Sequence, residues 1–158
     1  LFECWCILLL GETMLFDDIK KMVEIDLKFK DDELDVESLR IPQLHGKYLN
    51  LLYDEKLILR KWKNELSELT KLKWEYYTGK MPEEQLKELE WEPFQLRILK
   101  QDIELYMESD VDLNQRRDKV FVQEEKVNYL ESIIKMITNR QYHIRDAITW
   151  RKFINGDS

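Results

Sequence analysis

The chain has 158 residues, enough for one domain whose folding removes roughly two thirds of the unfolded surface from water. Charged residues make up 36% and hydrophobic ones 44%, with 4 glycines and 3 prolines, a composition that suits helices and argues against turn-rich β architecture and low-complexity linkers. The 25 Lys and Arg against 32 Asp and Glu give a net charge of -7, which taken whole argues against a nucleic-acid binder. The charge is segregated, however: residues 14–38 and 83–112 are acidic, whereas 56–80 and 116–158 are basic.

At the start, Cys4 and Cys6 stand two apart, a spacing that fits neither a zinc half-site nor a disulfide framework. The run from Trp5 to Leu10 lacks the basic flank and cleavage site of a signal peptide and is too short to span a bilayer, so a soluble, cytosolic protein is expected. Met14 opens a well-patterned helix, and residues 1–13 read as a non-native upstream extension before a single helical domain over 14–158. That helix is expected over about 15–28, with Phe16, Ile19, Met22 and Val23 on one face and Thr13 as its cap.

An acidic connector follows from Asp31 to about Pro42. Over 44–78 the apolar residues Tyr48, Leu52, Leu59, Trp62, Leu66, Leu69 and Tyr76 recur at threes and fours, predicting a long helix that stops at Gly79. Pro82 and Pro93 bracket a short helical piece, and 94–108 continues as helix through Phe94, Ile98, Leu99, Leu105 and Tyr106. Ser109 with Asp112 resembles a capping box for a final helical region in which Leu113, Val120, Val127 and Ile134 repeat every seven residues, joined by Leu130 and Ile137. An interruption is expected at 138–141, before a last helix carrying Ile144, Ala147, Ile148, Phe153 and Ile154. The expected fold is all-α: an elongated multi-helix protomer with a coiled-coil-like C-terminal helical region.

Catalysis has little to work with. His45 and His143 are far apart, no metal-ligand spacing occurs, and Gly79-Lys80 lacks both the following Ser or Thr and the earlier glycine of a phosphate loop. The acid pairs Glu83-Glu84 and Glu124-Glu125 read as solvated helix faces. No enzymatic activity and no cofactor are expected.

The basic segment is more informative. At 100° per residue Lys56, Arg60, Lys63 and Lys71 fall within an arc of roughly 80°, with Trp74 inside it, while the apolar stripe lies about 40° or more away. Lys73, Tyr76, Tyr77 and Lys80 extend the cluster towards Gly79. Cations on a rigid element neutralise phosphates, and aromatic faces stack on unpaired bases, so this stripe suits single-stranded nucleic acid. The plainer reading is that Trp74 and Tyr77 pack on a neighbouring helix and the lysines are ordinary solvated residues.

The run from Lys71 to Lys80 resembles the DNA-binding motif Lys-Ala-Arg-Leu-Asp-Tyr of the UvsY recombination mediators of T-even-like phages. Lys71 matches the motif's lysine, Lys73 stands for its arginine, Glu75 for its aspartate and Tyr76 for its tyrosine; Leu72 and Trp74 depart from it. Arginine to lysine keeps the charge and loses the bidentate fork. Leu39 to Leu49, Trp91 to Phe94 and Asn139 to Ile154 are similar to the cyanophage branch, so the resemblance covers about 14–156.

The resemblance implies a ring-forming, non-catalytic homo-oligomer in the cytoplasm of an infected bacterial host. Such a protein binds single-stranded DNA and helps a RecA-like phage recombinase displace the phage single-strand-binding protein, with no membrane partner. On this view 44–80 is the DNA-binding helix and 110–155 supplies assembly helices, with subunits meeting at Val120, Val127, Leu130, Ile134, Ile137, Ile144 and Ile148. A core within the chain competes for the same seven side chains. The alternative function is a helical scaffold that joins proteins and touches no DNA.

Overall fold

The computed structural model describes residues 14–30, 32–94 and 98–156. Residues 1–13, with Cys4, Cys6 and Thr13, lie outside them. Every regular element among the described residues is helical: α1 (Phe16–Asp26), α2 (Leu34–Tyr77), α3 (Glu83–Glu88), a 3-10 turn (Lys100–Asp102), α4 (Ile103–Ser109) and α5 (Val111–Asn155). The chain divides into two compact units, one of residues up to 57 with 125 onward, the other of residues 58–124.

In the first unit, apolar spacing alone explains most of the core: Ile19 and Val23 of α1, Leu44, Tyr48 and Leu52 of α2, and Val127, Leu130, Ile133, Ile137 and Ile144 of α5 are all buried. Two charged pairs are buried with them. Lys126 meets Glu55 at 3.2 Å and also donates to the Met14 carbonyl at 2.8 Å. Arg140 bonds Glu37 and donates to the carbonyls of Leu27 and Lys28 at 3.4 and 3.3 Å.

These pairs explain two departures from the sequence reading. The connector expected to run to Pro42 is helix from Leu34, with Pro42 inside α2. Proline there lacks an N–H and disfavours helical backbone before it, at a cost of about 3 kcal/mol, but buried Leu34 and the Glu37–Arg140 pair hold the segment helical. The interruption expected at 138–141 is absent, and α5 runs unbroken to Asn155 before Gly156, at φ 76°, ends it. Arg140, which looked like loop material, is a buried member of the seam, and the Thr138 hydroxyl donates back to the Ile134 carbonyl at 2.9 Å.

The seam of α5, read from the sequence either as a subunit contact or as a core within the chain, is largely buried. Val120, in the second unit, and Val127, Leu130, Ile137 and Ile144, in the first, are 7% exposed or less, so the chain's own interior consumes them. Ile134 is half-buried and Ile133 takes the deeper place, as a seven-residue repeat drifts by about 20° per heptad on a straight helix. Of the seven residues expected between subunits, Ile148 stands exposed.

In the second unit, α2 ends where its glycine predicted. Gly79 adopts φ 66°, Lys80 N–H bonds the Glu75 carbonyl at 2.9 Å and Gly79 N–H the Tyr76 carbonyl at 3.1 Å, a Schellman closure. The cap of α5 is Asp110 rather than Ser109: its Oδ1 accepts the Leu113 N–H at 3.0 Å, while the Ser109 hydroxyl donates back to Leu105 at the end of α4. The helix expected over 94–108 is shorter, with regular structure resuming at Lys100.

Candidate nucleic-acid interface

The second unit holds most of the basic stripe, on the last five turns of α2. Arg60 is exposed and forms no ion pair among the described residues. Lys71 is exposed, 3.8 Å from Glu75 on its own helix, a distance at which the carboxylate restrains it little. Trp74 is 41% exposed, and the Lys80 ammonium lies 4.3 Å over its ring. Arg60, Lys71, Trp74 and Lys80 thus present charge and an aromatic face to solvent.

Other members of the expected set are engaged. Lys63 pairs with Glu124 at 2.6 Å, both groups partly exposed. Lys56, in the first unit, pairs with Glu131 at 2.6 Å. Such exposed pairs are worth little, so a phosphate can displace the carboxylate at small cost.

Lys73 corrects the expectation of a wet side chain: it is 7% exposed. Its ammonium sits 2.9 Å from Asp110 and 2.5 Å from Asp112, and 4.4 Å over the Trp91 ring. Burial by itself would depress the ammonium, but the bonds from Asp112 and Asp110 outweigh it and hold the pKa above the ordinary lysine value. Burial likewise works against the Asp110 carboxylate, yet the Leu113 N–H, the Tyr77 phenol and Lys73 hold it below the usual aspartate range. Lys73 is a neutralised charge inside the unit.

Tyr76 and Tyr77 are half-buried. The Tyr77 hydroxyl donates to Asp110 at 2.7 Å, and its pKa is driven upward by burial and then by that carboxylate. Tyr76 donates to the Glu92 carbonyl at 3.0 Å. The two rings meet each other edge-on in a cluster in which Tyr76 also meets Trp91 edge-on, Tyr77 meets Phe94 edge-on, and Tyr77 lies tilted against Tyr106. The neighbouring-helix packing weighed for Trp74 and Tyr77 therefore holds for Tyr77 and not for Trp74.

Sequence reasoning missed the carboxylates that claim Lys73. The acidic excess of 83–112 was visible, but nothing local says that Asp110 and Asp112 return to α2. It also missed Trp91, placed by a tight turn in which Glu90 takes φ 55° and Trp91 N–H bonds the Leu86 carbonyl at 2.9 Å. Among the described residues no cluster of His, Cys, Asp and Glu could hold a metal, and no helix is long and apolar enough to cross a membrane.

A comparison with curated protein sequences gives no match. The crystal structure of the bacteriophage T4 recombination mediator protein UvsY superposes with a TM-score of 0.78, covering 89% of this chain and 99% of that one at 16% identity, a likeness of fold. A family model described as "Recombination, repair and ssDNA binding protein UvsY" matches residues 20–157. With nearly the whole described chain inside that match, the protein belongs to the UvsY family.

Proposed function

We propose that this chain is a recombination mediator without catalytic activity, which binds single-stranded DNA and promotes loading of a RecA-like recombinase by displacing single-strand-binding protein. The observation that carries the reading is the family match over residues 20–157. Within it, the strand contacts Arg60, Lys71 and Lys80 through phosphates and Trp74 through a base. What favours these four is their exposure and freedom from strong ion pairs. Lys56 and Lys63 join by exchanging a carboxylate for a phosphate, while Lys73, Tyr76 and Tyr77 hold the end of α2 in place.

One stripe on a net acidic chain binds weakly, and gathering several copies, in a ring, multiplies it by effective concentration. The exposed apolar end of α5, Ile148 with Trp150, Phe153 and Ile154, is the assembly element favoured here, with α5 pairing between subunits in coiled-coil fashion. The partners are phage proteins, the setting is the cytoplasm of an infected bacterium, and the sequence blocks at 39–49, 91–94 and 139–154 favour a cyanophage source.

The test is a titration of fluorescent poly-dT with the protein at two salt concentrations. Tight binding at low salt that weakens steeply at the higher salt is expected. No binding in dilute buffer would leave the protein-joining scaffold as the surviving reading.

A further inference from the structure

We infer that the second unit carries a separate subsite for one unpaired nucleotide of the strand, in a cleft of about 300 Å3 lined by Leu69, Trp91, Asp112, Gln115, Arg116 and Lys119. The inference rests on the single-strand-binding reading and extends it to residues outside the α2 stripe.

The cleft combines what a nucleotide needs. Leu69 and the half-exposed Trp91 ring give apolar walls against which a base stacks. Residues 112, 115, 116 and 119 follow at threes and fours, so one face of α5 presents all four polar groups to the same cleft. Gln115 is exposed and offers both an amide donor and an acceptor to a base edge. Lys119 is exposed and forms no ion pair among the described residues, which leaves its charge for a phosphate.

Charge balance does not oppose the assignment. Asp112 shares the Lys73 ammonium with Asp110, at 2.5 and 2.9 Å, and Arg116 is bonded to Glu65 at 2.6 Å, so the cluster with Lys119 is neutral overall and Lys119 is the cation in it left for a phosphate. The volume is at the lower end for a small-molecule pocket, matching a single nucleotide.

The aromatic wall is held before any ligand arrives. Trp91 is fixed by the Glu90 turn, meets Tyr76 edge-on with ring centres 5.3 Å apart, and lies under the Lys73 ammonium at 4.4 Å. A platform that needs no ordering on binding loses little entropy to the strand. Burial of Lys73 therefore has a use: it props the ring that faces the cleft.

The experiment uses the full chain with Trp91 as its one indole, Trp5, Trp62, Trp74 and Trp150 being replaced by phenylalanine, after circular dichroism shows that helicity is kept. Saturating oligo-dT is expected to quench Trp91 emission, whereas free dTMP at the same nucleotide concentration does not. In the otherwise unaltered protein, Gln115→Ala with Lys119→Ala is expected to weaken oligo-dT binding several-fold and to lower the log–log salt slope by about 0.7, the share of one phosphate. Unquenched Trp91 on a protein saturated with oligo-dT, or unchanged affinity in the double variant, overturns the subsite while leaving the α2 stripe standing. Equal quenching by dTMP overturns it too, in favour of a free-nucleotide pocket. Absence of oligo-dT binding by the unaltered protein in dilute buffer would instead sink the single-strand reading itself.

Discussion

Two lysines two residues apart on α2, and so on nearly opposite sides of it, show how far residue type is from residue role. Lys71 is solvated beside a distant Glu75, and Lys73 is enclosed by Asp110 and Asp112. Lys71→Ala is expected to leave stability within about 0.5 kcal/mol and to reduce the salt slope of oligo-dT binding by about 0.7, measured by fluorescence titration across a salt series. Lys73→Ala should cost about 3 kcal/mol, because it strands the buried Asp110 carboxylate, and urea unfolding would register it. A Lys73→Ala protein as stable as its parent would return Lys73 to the wet stripe. The same cluster fixes a pH window. Asp110 is held below its ordinary pKa, so its contribution is present above about pH 4 and is lost as acid takes the pH through its folded value. Lys73 is raised, so its contribution is complete below about pH 10 and is lost as the pH climbs through its folded value. Asp110→Asn should therefore lower stability at pH 7 and flatten its fall below pH 4, although Asp26, held down by Lys47 and Tyr48 against its burial, keeps some acid dependence.

At the scale of elements, Pro42 is the testable anomaly. Inside α2 it cannot donate to the Ser38 carbonyl, and the helix persists because Leu34 and Glu37 on the preceding turns are buried. Pro42→Ala restores the donor and is expected to stabilise by about 1–2 kcal/mol, the helix gain of about 3 kcal/mol being partly offset by a freer unfolded chain. Thermal melting should move upward by a few degrees; a fall would mean that the proline ring makes contacts the helix depends on. Pro42 also marks the limit of what the sequence makes legible. Threes and fours located α1, the body of α2 and the burial of Val120, Val127, Leu130 and Ile137, because those signals are local. The start of α2 and the continuity of α5 depend on Glu37 meeting Arg140, and the fate of Lys73 depends on Asp110, partners far along the chain that no window reveals. For the interface, the exposed Arg60, Lys71, Trp74 and Lys80 were readable as helical geometry, whereas Trp91, Gln115 and Lys119 come together only through the tertiary fold.

For the whole molecule, a net charge of -7 must coexist with binding to a polyanion. The fold answers by pairing acids with bases inside each unit, so that uncompensated cations remain at a few places and copies can add them up. Adding copies requires a surface for assembly, and Val127, Leu130, Ile137 and Ile144 of the α5 seam are buried within the chain. Under the proposed assembly the end of α5 is the exposed apolar surface to test: Trp150 and Phe153 stack at 5.8 Å, and Phe153 and Ile154 are 75% and 64% exposed. Cutting the chain after Asn139 would remove Arg140 and Ile144 from the interior, so loss of assembly in that truncation would be uninterpretable. Trp150→Ala with Phe153→Ala and Ile154→Ala spares both. Light scattering should then give the mass of one chain at unchanged helicity, and affinity for long oligo-dT should fall by about 100-fold or more as effective concentration is lost, while the weak affinity for a short oligonucleotide that one stripe can hold stays the same. An unchanged mass per particle would place subunit contacts elsewhere on the chain.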